Sequence, residues 1–172
     1  MKLLAYEVDK RSFLGIFNED ETWVYPISAA GMEYRSMKDL IREAGPSEME
    51  MLDYISKKAP GDVTGAAPVE EIKIVSPIPE PDQDIICLGI NYMDHAAESA
   101  RFQKEEFARP EKAIYFSKRV NRTNDPDGII PAHKNLTNQL DYEAELAVII
   151  KKDAKDVKPE EVKDLSLIHI SE

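Results

Sequence analysis

Cysteine is almost absent. The 172 residues contain one, Cys87, set in the apolar run Ile85-Ile86-Cys87-Leu88. An intrachain disulfide and a cysteine zinc cluster are therefore excluded, and Cys87 reads as a small buried hydrophobe rather than a nucleophile. A basic excess is missing too. Lys and Arg number 22 against 33 Asp and Glu, a formal net charge of -11, which would repel a nucleic-acid backbone. No apolar stretch approaches the roughly 20 residues of a membrane span. Glu7 and Asp9 interrupt the start of the chain, so no signal-peptide apolar core forms there. The expectation is a cytoplasmic protein without nucleic-acid or membrane partners, in which the N-x-T triplets at Asn121 and Asn135 are chance matches. Internal repeats and low-complexity tracts are lacking as well.

What is present suits a soluble globular protein: 42% hydrophobic and 32% charged residues. Lys2–Val8, Ser12–Phe17 and Glu21–Ile27 are rich in aromatic and branched residues and read as short strands, with Asn18-Glu19-Asp20 as a turn. Two helices follow. Ser36 can cap the first, whose stripe is Met37, Leu40 and Ile41 and whose stop is Gly45. Ser47 and Glu50 offer a capping-box pattern for the second, ahead of Met51, Leu52 and Ile55. From Lys57 to Pro68 the sequence turns small and polar and reads as a linker. Beyond it, Asp84–Gly89 and Ala113–Phe116 suit strands, Asp94 can cap a helix running to about Lys104, and Asn124-Asp125-Pro126-Asp127-Gly128 is a turn cluster. Glu143–Lys151 has the clearest strand pattern of the chain.

Two stretches could carry chemistry. In a strand, Glu143 and Glu145 share one face with Ala147 and Ile149, while Ala144, Leu146, Val148 and Ile150 form an apolar stripe on the other. Paired carboxylates repel, and burying them unpaired is costly. A hard divalent cation resolves that conflict. The spacing alone, however, favours a solvated strand edge. In the second stretch, Gly89-Ile90-Asn91-Tyr92-Met93-Asp94-His95-Ala96-Ala97-Glu98, a cap at Asp94 sets His95 and Glu98 on one helix face. A carboxylate beside an imidazole fixes its tautomer and keeps it basic, as a general base requires. Taken alone, the motif favours a surface His–Glu pair in the first helical turn.

The combination is more specific. Gly-x-Asn-Tyr-x-Asp-His-x-x-Glu, then Phe116-x-Lys118, then the Pro131 segment, then Asp-Tyr-Glu-x-Glu-Leu from Asp141 resembles the fumarylacetoacetate hydrolase family, over about Pro77 to Glu161. The resemblance implies an α+β protein, with a small N-terminal α/β domain at 1–68 followed at 69–165 by part of a mixed, mainly-β catalytic roll. It implies a Mg²⁺ (or Mn²⁺) site with Glu143 and Glu145 as ligands alongside a later aspartate, a catalytic His95–Glu98 dyad, and a substrate-binding lysine at Lys118. Lys118 fits an exposed strand-end lysine as well. The implied substrates are small 2-oxo or 1,3-diketo acids, and the implied assembly is a homodimer.

The implied reaction is hydrolytic C–C cleavage of an acylpyruvate or fumarylpyruvate. The alternatives are isomerisation or decarboxylation of a 2-hydroxyhepta-2,4-diene-1,7-dioate, and oxaloacetate decarboxylation. His133 reads as an exposed loop residue, and Arg119 and Arg122 as surface charges. The family's aspartate segment does not follow Glu160-Glu161, where the chain reads Lys163-Asp164-Leu165-Ser166-Leu167-Ile168-His169-Ile170-Ser171-Glu172. The expectation is a truncated chain, inactive by itself, with a non-native tail at 166–172 that removes His169 from consideration. A non-catalytic fragment that only folds and associates is the reading from a different class.

Overall fold

The computed structural model describes residues 1–89, Tyr92 and 112–165. It divides into two compact units, residues 1–78 with 124–172, and residues 79–123.

The first unit is built on β1 (Leu3–Val8), β2 (Arg11–Phe17) and β3 (Trp23–Pro26). β1 and β2 form a hairpin whose two turn residues, Asp9 and Lys10, have φ of 51° and 64°. Positive φ at both central positions matches the right-handed twist of the strands. Across this hairpin Tyr6 opposes Phe13, with ring centroids 5.6 Å apart, a pairing that favours the register.

β3 starts later than the sequence suggests. Asn18 Oδ1 accepts the backbone N–H groups of Thr22 (3.0 Å) and Trp23 (2.9 Å), and Asp20 Oδ1 accepts the Thr22 hydroxyl at 2.5 Å. Side-chain acceptors thus take amides that a longer strand would have used. The same Thr22 hydroxyl bond holds the Asp20 carboxyl below its ordinary value.

Helix α1 (Met37–Glu43) begins as expected, with Ser36 Oγ accepting the Asp39 N–H at 3.1 Å. Helix α2 (Pro46–Ser56) corrects the expected cap. Pro46 occupies the first turn, where its fixed φ is pre-set for a helix. The carboxylate that reaches back is therefore Glu48, which accepts the Gly45 N–H at 2.8 Å, and not Glu50. Gly45 is the start of this helix as well as the stop after α1.

The stretch from Lys57 to Pro68 is not a bare linker either. It holds a 3-10 turn at Pro60–Asp62, the buried Val63, and β4 (Ala67–Pro68), which pairs with β3. β5 (Lys73–Val75), beyond residue 68, pairs with β1 and completes an antiparallel sheet of order β4-β3-β2-β1-β5.

Strand alternation divides the apolar residues between the two sheet faces. Ile16 and Tyr25 join Met37, Leu40, Ile41, Leu52 and Ile55 from the helices, while Leu4, Tyr6 and Val24 form a smaller cluster with Ile72 and Ile74 packed against it. Tyr25 is fully buried, and its hydroxyl donates to the Lys58 carbonyl at 2.7 Å. Burial pushes its phenol pKa up.

Gly15 sits where sheet and core meet. A Cβ there would lie 2.8 Å from Tyr6 Cε1, 2.8 Å from Val24 Cγ1 and 2.9 Å from the Tyr25 carbonyl oxygen. Because a carbonyl and two packed side chains must all yield, Gly15→Ala is expected to destabilise the unit by about 1–3 kcal/mol. Urea unfolding checks this through a lower midpoint at unchanged slope.

The Tyr34 hydroxyl donates to Glu48 Oε1 at 2.5 Å. This bond, and then the one from Gly45 N–H, holds the Glu48 carboxyl below its usual 4.5, and the same bond pushes Tyr34 to about 12. A carboxylate lowered by folding adds stability above its ordinary range and loses it as pH falls through the folded value. A tyrosine raised by folding adds stability below 10.0 and loses it as pH rises through about 12. Wild-type stability, measured by denaturant unfolding between about pH 5 and about pH 3, should therefore fall more steeply than that of Tyr34→Phe.

The second unit contains a two-stranded antiparallel sheet of β6 (Ile85–Gly89) and β7 (Ile114–Lys118), in register from Ile85 opposite Lys118 to Gly89 opposite Ile114. Cys87 is buried, whereas Ile86 and Tyr115 are exposed. Glu80 and Arg122 form an exposed ion pair at 3.9 Å. The helix expected from Asp94 lies outside the described residues. No helix among those described is long and apolar enough to cross a membrane.

The expectation for Glu143–Lys151 is corrected. Residues 141–149 adopt no regular secondary structure, and Ile150 makes a lone bridge. The alternating pattern is real, but a strand persists only where a neighbour completes its ladder. The seven strands among the described residues pair with one another instead.

Candidate functional site

Glu143 and Glu145 stand on an exposed segment of the first unit. Every residue from 129 to 148 is exposed, including the apolar Tyr142, Leu146 and Val148. Both carboxylates are therefore open to solvent and to ions. The segment regains contact just after them. Ile149 is half-buried against the main hydrophobic cluster, and the Lys151 N–H donates to the Leu165 carbonyl at 2.9 Å. Leu165 follows a 3-10 turn at Pro159–Asp164, whose first turn is capped by Glu161 accepting the Lys158 N–H at 3.0 Å.

Upstream, the Asn124–Gly128 cluster forms the expected turn, with Gly128 N–H donating to the Asp125 carbonyl at 3.0 Å. The Asp125 side chain does more than the sequence suggests. It accepts the Ser76 backbone N–H at 2.9 Å and the Lys73 ammonium at 3.3 Å. Acidic residues in a turn cluster give no sign of a partner about fifty positions away in the chain, and nothing in the pattern alone would have found this contact.

Lys118 ends β7 in the second unit, exposed, with Nζ 5.7 Å from the centroid of the Phe116 ring. His133 is exposed at φ 45° and its carbonyl accepts the Leu136 N–H at 2.7 Å, so it shapes a turn. Arg119 and Arg122 are exposed. His95 and Glu98 lie outside the described residues, as does His169.

The donor chemistry of Glu143 and Glu145 fits a hard divalent cation, which takes oxygen ligands. The number of donors is incomplete: no group of three or more His, Cys, Asp or Glu side chains placed to hold a metal occurs among the described residues. Two monodentate carboxylates supply a minority of the roughly six oxygens such a cation requires.

Comparison with known proteins bears on the same stretch. The family described as "Fumarylacetoacetate (FAA) hydrolase C-terminal" matches residues 84–167. The chain is 38% identical over 174 aligned residues to the oxaloacetate tautomerase YisK of Bacillus subtilis, covering 95% of this chain and 56% of that protein. It is 43% identical over 91 residues to a fumarylacetoacetate hydrolase domain-containing protein 2 homolog of Dictyostelium discoideum, covering 52% of this chain and 27% of that one. The fold is similar to that of a fumarylacetoacetate hydrolase from Exiguobacterium antarcticum, with a TM-score of 0.62 at 24% identity over 96% of this chain and 52% of that chain. The chain thus spans about half the length of the curated relatives it matches along most of its own length.

Proposed function

Because the chain belongs to the fumarylacetoacetate hydrolase family, we propose that it is part of an enzyme that moves a proton on a small 2-oxo diacid of the oxaloacetate type. The observation that carries this reading is the 38% identity, along 95% of the chain, with a protein named an oxaloacetate tautomerase.

In this reading His95 is the base. It takes a proton from the carbon between the two carbonyl groups of the keto form and returns it to the 2-oxo oxygen, giving the enol with no net change in atoms or charge. Glu98, three residues on, fixes the His95 tautomer and steadies the charge the imidazole gains. Lys118 binds a substrate carboxylate. Glu143 and Glu145 hold Mg²⁺ (or Mn²⁺), which when bound supplies Lewis-acid stabilisation of developing negative charge on oxygen. The enzyme works in the cytoplasm as a homodimer.

A second reading is hydrolytic C–C cleavage of an acylpyruvate, favoured by the match of residues 84–167 to a family described by fumarylacetoacetate hydrolysis. There His95 would deprotonate a water that attacks the distal carbonyl. Decarboxylation of oxaloacetate needs the same residues.

A substrate panel on the full-length enzyme, with and without EDTA, separates these readings. The expected result is EDTA-sensitive acceleration of oxaloacetate enol–keto exchange. Acylpyruvate cleavage without tautomerisation would favour the second reading, CO₂ release the decarboxylase, and no turnover of any substrate a non-catalytic protein.

A further inference from the structure

Between the Asn124–Gly128 turn and Ile149 the chain runs exposed along its whole course, from 129 to 148. Its two ends are not loose. At one, Asp125 takes the Ser76 N–H and the Lys73 ammonium, both belonging to the β5 edge of the five-stranded sheet or the residue after it. At the other, Ile149 seats against the cluster that contains Ile16, Tyr25, Leu40 and Leu52. Among the described residues after Asn124, Ile149 is the one packed into that cluster.

The acidic pair lies close to this second anchor. Glu145 is four residues before Ile149 and Glu143 six, so an extended chain carries them at most about 14 Å and about 21 Å from the seat. Moving the point of attachment changes where two metal-ligating carboxylates can be, and metal sites tolerate little misplacement of their ligands.

We propose that Ile149 is a positioning residue: its seat on the N-terminal core, opposed at the far end by Asp125, sets the placement of Glu143 and Glu145 for a divalent cation. The N-terminal sheet is then a support for the metal-binding segment as well as a folding unit. The role in metal binding rests on Glu143 and Glu145 being ligands. The seat itself does not.

Two measurements on the 172-residue chain test the proposal. In the first, spin labels at Ala144→Cys and Met51→Cys, in a Cys87→Ser background and without metal, report the distance from the acidic segment to α2. A single narrow distribution is expected for Ile149 and for Ile149→Val. A broadened one is expected for Ile149→Ala and Ile149→Asp, with circular dichroism verifying that the sheet and helices persist. An unchanged distribution in both disruptive variants overturns the seat. Should Ile149→Asp fail to fold, Ile149→Ala decides.

In the second, Mn²⁺ binding to the unlabelled chains is read from loss of the free-ion electron paramagnetic resonance signal. Ile149→Ala should raise the dissociation constant by about tenfold, as loss of a ligand-supporting contact does, and Ile149→Val should restore it. Equal affinity in wild type and Ile149→Ala overturns the positioning role even where the distance broadens. Glu143→Gln separates the two layers. If it leaves Mn²⁺ affinity unchanged, the ligand assignment fails, and the distance measurement still judges the seat.

Discussion

Replacing Glu143 by glutamine in the full-length enzyme is expected to lower kcat/KM for 2-oxo acid turnover by at least about a thousandfold, a loss of roughly 4 kcal/mol of transition-state stabilisation. Glutamine keeps the size and one oxygen of the side chain, but removes the charge that pairs with a divalent cation. Added Mg²⁺ should recover little of the loss, because the ligand rather than the ion is missing. Folding should be almost untouched. Glu143 is exposed on a segment without regular secondary structure, and such surface changes usually stay within about 0.5 kcal/mol. An inactive but fully stable variant separates a ligand from a structural glutamate. Glu145→Gln should behave the same way. Wild-type turnover by either variant would return the pair to a solvated segment with no part in the chemistry.

The largest effect on stability is expected from Leu52→Ala. Leu52 is fully buried on the inner face of α2 and belongs to the cluster that joins both helices to the sheet. Truncation removes three carbon atoms from a site walled by other apolar side chains. The cost combines lost transfer free energy with the residual cavity, about 2–5 kcal/mol. Small domains have total stabilities of only about 5–15 kcal/mol, and each kcal/mol moves the midpoint of a unit between the 100- and 150-residue sizes by about 3–5 °C. The thermal midpoint should therefore drop by at least about 6 °C. Met51→Ala is the control. The neighbouring side chain on the same helix is 45% exposed, and its removal should cost less than about 0.5 kcal/mol. Equal losses in the two variants would mean that α2 does not bury the face assigned to it.

These two residues mark what could and could not be read from the sequence. Leu52 is legible through its helical spacing to Ile55 in α2, as Leu40 is through Met37 and Ile41 in α1, because periodicity follows directly from a helix burying one side. The β1–β2 hairpin and the Ser36 cap were visible for a similar reason: each is decided by residues a few positions apart. The α2 cap lies two residues earlier than Ser47 and Glu50 suggest: Gly45 is the cap and Glu48 accepts its N–H, while Pro46, which has no N–H to satisfy, fills the first turn.

The Glu143–Lys151 segment departs from its pattern for another reason. Its alternation is real, but a strand is completed by a partner at any distance along the chain, and none of the described strands pairs with it. Long-range tethers were equally invisible. Asp125 reads as a turn residue and Ile149 as one apolar residue in an alternating row, yet one holds Ser76 and the other meets the N-terminal core. For the candidate site, the sequence proposes Glu143 and Glu145 as ligands, while their spatial relation to His95 and Glu98 lies outside the described residues.

The account turns on Glu143 and Glu145 as ligands of one divalent cation, and Mn²⁺ titration of the full-length enzyme by calorimetry tests that most directly. The wild-type protein should bind one Mn²⁺ per chain, and the Glu143→Gln, Glu145→Gln double variant none over the same concentration range. Undiminished binding by the double variant would contradict the assignment and, with it, the proposed chemistry.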